Sequence, residues 1–167
     1  CLGSMAIGFT DDYVKDVKKR HEGLTPKQKL MGQVVVGLVF ALYGYFFLGS
    51  DVVLPFTEKT WDLGVFYIPI MTVLVMFMTN SANLQDGVDG ILSSVTTVGM
   101  IAFSLIAAFL AAALPTPEGA FEYRLIAVLC CALAGACIGF LRFNRHPAKI
   151  FMGDTGSMFI GGAMVGV

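Results

Sequence analysis

The sequence predicts an all-α, polytopic integral membrane fold with about four complete transmembrane helices and two partial ones, all within one domain covering residues 1–167. Three observations carry this. Hydrophobic residues make up 56% of the chain against 14% charged, and the mean hydropathy is +0.77, far from the balance of a soluble protein. Apolar runs near the roughly 20 residues that a helix needs to cross the bilayer core recur along the chain. Charged side chains are confined to the segments between those runs.

The runs lie at about 31–49, 65–79 with its flanks, 91–114 and 124–141. At the start, "CLGSMAIGF" supplies only a short apolar piece before charges begin, and "SMFIGGAMVGV" breaks off as another run opens. Each has the character of a cut helix. With no initiator Met and no signal peptide with a basic n-region, an internal fragment of a larger polytopic protein is expected. Cys1, Cys130, Cys131 and Cys137 fall in apolar runs without zinc-ligand or disulfide spacing, so ordinary lipid-facing or core-facing thiols are expected.

The connecting segments 10–29, 50–64, 80–90, 115–124 and 142–149 must alternate sides of the membrane. The first and fifth share a face and hold nine of the eleven Lys and Arg: Lys15, Lys18, Lys19, Arg20, Lys27, Lys29, Arg142, Arg145 and Lys149. The positive-inside rule makes that face cytoplasmic. Asp11, Asp12, Asp86, Asp89 and Asp154 fall at or beside helix ends on the same face, where an aspartate escapes the roughly 2.5–3.5 kcal/mol cost of mid-bilayer insertion. Phe56, Trp61 and Tyr67 belong to the opposite side, as interfacial anchors or packing residues.

Three polar constellations stand out. "GFTDDYVKDVKKR" holds adjacent carboxylates with Lys15 four residues after Asp11, which puts the pair on one helical face; an acid-rich helix end is the plain alternative. In "NSANLQDGVDGI", Asn80, Asn83, Asp86 and Asp89 recur every third residue, fit to line one face of a helix or tight coil, and Gly87 and Gly90 leave room for a ligand near the backbone. No register supplies the twelfth-position Glu of a calcium EF-hand loop, although a simple turn of Asn, Asp and Gly remains open. In "FNRHPAKIFMGDTGSMF", Pro147 ends the helix after Asn144, Gly153 and Gly156 bracket Asp154, and Ser157 is placed to N-cap the next run. Asp154 suits a magnesium ion, which takes one or two carboxylates plus phosphate oxygens. A Walker A lysine pattern is missing, and His21 and His146 read as solvated loop residues.

At these motifs the sequence resembles the polyprenyl-phosphate N-acetylhexosamine-1-phosphate transferases. "NSANLQDGVDGI" is similar to the family's NAxNLxDGxDGL segment, "FNRHPAKIFMGDTGSMFIGG" to its FNxxPAxxFMGDTGS segment, and "GFTDDYVKDVKKRHEGLTPKQKLMGQ" to its aspartate-pair segment. The basic stretch from Lys15 to Gln33 points to the muramoyl-pentapeptide branch rather than the GlcNAc-1-phosphate branch. Ser81 and Gln85 depart from the usual Ala and Thr, and Arg145-His146 from smaller residues. The resemblance spans nearly the whole chain and implies a parent of about ten spans.

The implied activity is transfer of phospho-MurNAc-pentapeptide from UDP-MurNAc-pentapeptide to undecaprenyl phosphate, giving lipid I and UMP at the cytoplasmic face of a bacterial inner membrane. Mg2+ is the implied cofactor, with Asp154 as metal ligand and Asp11, Asp12 and Asp154 as the catalytic acids. Asn83, Asp86, Gly87, Val88 and Asp89 match the segment shaping the nucleotide pocket. Phe151 matches an aromatic able to stack on uracil, and Asn144 a polar residue near the substrate. Lys15 and Lys27 are placed to meet the diphosphate or lipid headgroup. Membrane lipid and a homodimeric partner are expected, and no nucleic acid. A cation-coupled transporter is the rival class, but its acids belong near mid-membrane.

Overall fold

The computed structural model of the chain describes residues 1–17, 23–53 and 59–167. Lys18, Lys19, Arg20, His21 and Phe56, singled out above, lie outside the described residues. The order is α1 (Leu2–Asp16), α2 (Pro26–Phe47), β1 (Asp51–Val53), β2 (Thr60–Asp62), a 3-10 turn (Gly64–Phe66), α3 (Tyr67–Gln85), α4 (Ile91–Ala113), α5 (Pro117–Asn144) and α6 (Gly153–Val165). Among the described residues, four segments are long and apolar enough to cross a membrane: Pro26–Phe47, Gly64–Gln85, Ile91–Ala113 and Pro117–Asn144. The all-α polytopic expectation holds. The chain forms two compact units, Cys1–Ser81 with Asp154–Val165, and Ala82–Gly153 with Gly166–Val167.

In the first unit, α2 starts five residues before its apolar run because a capping box sets its origin. Thr25 Oγ1 accepts from Gln28 N, and Thr25 N donates to the Gln28 side chain. Pro26 at the first helical position costs nothing there, since its missing N–H would have no partner. Gln33, Gly37, Ala41 and Gly44 form the buried stripe of α2. Close packing of small side chains replaces the hydrophobic drive that lipid cannot provide. Gln33, 1% exposed, exchanges amide hydrogen bonds with Asn80 on α3 at 2.8 and 3.2 Å, so the buried Gln33 amide is not left unpaired.

Tyr67 is buried, its ring against Gly44, and thus packs in the core; Trp61 is exposed on β2. The segment 50–64, expected as a plain connection, carries an antiparallel pair with Val52 opposite Trp61. Its β-branched and aromatic residues favour that local pairing.

The second unit is built on α4 and α5. Ser93, Thr96, Met100, Ser104, Ala107 and Ala111 recur every three or four residues on the buried face of α4, and Ala120, Cys130, Ala134, Cys137 and Asn144 are the buried residues of α5. All four cysteines are free thiols, Cys130 and Cys137 buried, Cys1 and Cys131 exposed. Helix α5 begins at Pro117, inside the 115–124 segment expected to be a connection. It ends at Asn144, as Pro147 predicts.

Asn144 is 2% exposed. Its Oδ1 accepts from Gly90 N at 3.1 Å and Ser93 Oγ at 3.2 Å, while Nδ2 donates to Ile150 O at 3.0 Å. One amide thus ties the end of α5 to the start of α4 and to the following turn. Gly90 takes a left-handed φ of 73° as N-cap of α4, a conformation that costs glycine little. Asn144→Leu should destabilise the full-length protein by about 2 kcal/mol or more, since each buried polar group left unpaired costs about 1–3 kcal/mol. A thermal melt in detergent checks this; an unchanged midpoint would show that the three bonds contribute nothing.

Candidate active site

Asp11 and Asp12 lie on the last turns of α1, and Asp154 is in the first turn of α6. The two helix ends meet because Gly8 has no side chain. A Cβ there would stand 2.2 Å from Asp154 O and 2.8 Å from Thr155 Cα, so only glycine admits the α6 backbone this close. One turn further along α1, Asp12 then caps α6. Its Oδ1 accepts from Asp154 N at 3.3 Å, and its Oδ2 from Thr155 N at 2.8 Å and Thr155 Oγ1 at 2.5 Å. The amides at a helix start lack intrahelical partners and carry positive partial charge, so a carboxylate is the fitting cap. Helix α6 therefore starts at Gly153, and Ser157, expected as its N-cap, is instead buried within it.

The remaining acids share two lysines. Asp11, 2% exposed, accepts from Leu24 N at 2.6 Å through Oδ1. Its Oδ2 lies 2.7 Å from Lys15 Nζ and 3.8 Å from Lys29 Nζ. Asp154 Oδ2 receives both ammonium groups, Lys15 at 2.8 Å and Lys29 at 3.0 Å. Partial burial pulls the Lys15 pKa down, but hydrogen bonds to Asp11 and Asp154 outweigh it and hold the group above its ordinary value. Lys15 is a fixed cation at neutral pH.

Ligand oxygens of Asp11, Asp12 and Asp154 lie within 4.8 Å of one another. An all-carboxylate donor set suits a hard divalent ion such as magnesium. Charge agrees: three carboxylates against two lysines leave one net negative charge, and a divalent ion would turn this to one net positive, ready for phosphate oxygens. The residues fit the ion, with Asp154 flanked by the other two acids.

Of the residues expected at the site, Asp11, Asp12, Lys15 and Asp154 come together in the first unit, whereas Lys27 is exposed on the opening turn of α2. Lys29, read in the sequence only as a cytoplasmic-face cation, and Thr155 were not expected at the site. The T-P-K-Q capping signal could have placed Lys29 one turn into a helix, and the "GDTGS" motif sets Thr155 beside Asp154.

In the second unit, Asp89 Oδ2 accepts from His146 Nδ1 at 2.9 Å and Ala148 N at 3.1 Å, and the Ala148 amide and His146 hold its carboxyl below the usual range. His146, expected to be merely solvated, is exposed but pairs with this acid. Asp89 thereby joins Gly90 and Asn144 in fixing the turn after α5. Asn83 and Asp86 are partly exposed, and Gly87, Val88 and Phe151 are exposed. Helix α3 ends at Gln85, and Asp86 and Asp89 lie in the turns that follow it.

The model for glycosyl transferase family 4 matches residues 1–167. The chain belongs to glycosyl transferase family 4. Among relatives, it is 42% identical over 165 residues to the phospho-N-acetylmuramoyl-pentapeptide-transferase of Bacillus subtilis (strain 168), covering 98% of this chain and 48% of that protein. It is 44% identical to the protein of that name from Bacillus licheniformis, over 98% of this chain and 48% of the relative. For the Desulfitobacterium hafniense protein of that name the identity is 42%, over 99% of this chain and 50% of the relative. The chain thus spans about half the length of these curated family members.

Proposed function

We propose that the full-length protein carrying this chain transfers phospho-MurNAc-pentapeptide from UDP-MurNAc-pentapeptide to undecaprenyl phosphate, releasing UMP and forming lipid I. The observation that carries this is the cluster of three aspartates and two lysines at the ends of α1 and α6, in a chain of this family whose relatives bear that enzyme's name. Phosphoryl transfer depends chiefly on positioning and charge neutralisation, and the cluster offers both.

Asp154 is the proposed magnesium ligand, with Asp11 and Asp12 completing the acidic set. When bound, the ion would neutralise charge on the phosphates of the donor. Lys15 and Lys29 place their ammonium groups beside Asp154, suited to the diphosphate or the lipid phosphate. Asp12 holds the α6 start in place through Thr155. No acid is needed to deprotonate the lipid phosphate, because a phosphate monoester with a second pKa of about 6 is mostly dianionic at neutral pH. Lys27 is proposed for outer contact with the headgroup or diphosphate, and Asn83, Asp86, Gly87, Val88, Asp89, Asn144 and Phe151 for the nucleotide pocket. The site faces the cytoplasm of a bacterial inner membrane, and the protein works as a homodimer.

The test is UMP release by the purified full-length protein with undecaprenyl phosphate, with and without magnesium, comparing UDP-MurNAc-pentapeptide and UDP-GlcNAc. Magnesium-dependent release with the muramoyl substrate alone is expected. Release only with UDP-GlcNAc would move the protein to the sibling activity, and none with either, from folded protein, would remove the enzyme reading.

A further inference from the structure

A second charged feature lies in the other unit, at the end of α5. Between Arg124 and Arg142 the helix carries no charge over residues 125–141, which at 1.5 Å per residue span about 26 Å. That is close to the hydrocarbon thickness of a bilayer, about 30 Å, so Arg142 emerges at a membrane boundary. Beyond Asn144 the chain folds back on itself. Lys149 N donates to Phe143 O at 2.8 Å, Ala148 N to Asp89 Oδ2 at 3.1 Å and Asn144 Nδ2 to Ile150 O at 3.0 Å.

This pinned turn wraps a cleft of about 290 Å³ lined by Arg142, Phe143, Arg145, His146, Pro147 and Lys149. No acid lines it. Among the described residues Arg142, Arg145 and Lys149 form no ion pair, and Asp89, the acid bonded to this turn, is taken by His146 and Ala148. Three like charges held around one cleft repel one another unless an anion enters. Phe143, 51% exposed, and Pro147 add an apolar rim.

We propose that this cleft binds the phosphate of an anionic phospholipid headgroup, with the acyl chains running along α5. A soluble phosphate or nucleotide diphosphate would meet the same cations but gain nothing from the apolar rim or the boundary position. Basic groups just outside a membrane helix attract anionic lipid generally. What distinguishes this site is that backbone and buried side-chain bonds pre-form it, so little ordering cost remains when the headgroup enters. The inference does not depend on the reaction proposed above.

Native mass spectrometry of the full-length protein, titrated separately with phosphatidylglycerol and phosphatidylcholine, tests it. The wild type should retain at least one phosphatidylglycerol under conditions that strip phosphatidylcholine. The triple variant Arg142→Gln, Arg145→Gln, Lys149→Gln should bind that lipid at least tenfold more weakly, while Arg124→Gln, at the far end of α5, should bind as wild type. Equal retention of the two lipids by the wild type overturns the proposal without reference to any variant. So does unchanged binding by a folded triple variant, or displacement of the bound phosphatidylglycerol by UDP, which would assign the cleft to a soluble diphosphate.

Discussion

Asp154→Asn in the full-length protein is expected to cut turnover by about a hundredfold or more, the scale on which a preorganised electrostatic contact acts, while leaving the fold intact. The substitution keeps the shape of the side chain and removes the charge that Lys15 and Lys29 both address. The backbone N–H of residue 154 still donates to Asp12, so the start of α6 stays capped. The cluster would pass from one net negative charge to none, weakening its hold on a divalent ion. UMP release at saturating magnesium, with a thermal melt of the same preparation, measures both sides. Turnover within threefold of wild type would remove Asp154 from the chemistry and with it the reading of the cluster as an active site.

Gly8→Ala is expected to damage stability and turnover together. The new methyl would meet Asp154 O at 2.2 Å, Asp154 C at 2.5 Å and Thr155 Cα at 2.8 Å. All three are backbone atoms, so no rotamer change relieves the clash and α1 must part from α6. Overpacking of this kind costs about 1–3 kcal/mol and occasionally more. The Asp12 bonds to Thr155 would stretch beyond useful length, and turnover should fall more than tenfold. Gly135→Ala is the control: a Cβ there meets nothing within 4 Å, and the change should leave the melting midpoint and UMP release near wild type. Equal behaviour of the two variants would mean that the close approach at Gly8 is not what positions Asp154.

The four spans were legible because their signal is long and additive; no single residue decides whether a run such as 91–114 is apolar enough. The three aspartates were legible for another reason: charged residues are scarce in such a chain, and their place at helix ends follows from the cost of burying them in lipid. Helix starts were harder. Apolar content begins at Met31, but α2 is initiated by hydrogen bonds at Thr25 and Gln28, polar residues that hydropathy counts against a helix. The same applies to α6, where the cap is Asp12, a residue from another helix that local inspection cannot supply. Lys29 joined the cluster only once the origin of α2 was fixed. Asn144 was visible as a polar residue, but its bonds reach Gly90 and Ser93, partners that only the packed helix pair brings within range.

The Asp12 cap joins residues 143 positions apart, and this separation matters during synthesis. At about 5–20 residues per second, Thr155 leaves the ribosome on the order of ten seconds or more after Asp12. Through that interval α1 must sit in or beside the bilayer with Asp11 and Asp12 lacking their α6 partner. Acids at a helix end can wait in water at little cost, whereas the same pair buried mid-span would face lipid for the whole delay. The place of these acids at a helix end thus suits assembly: it lets half of a charged cluster be made early and kept hydrated until the other half arrives.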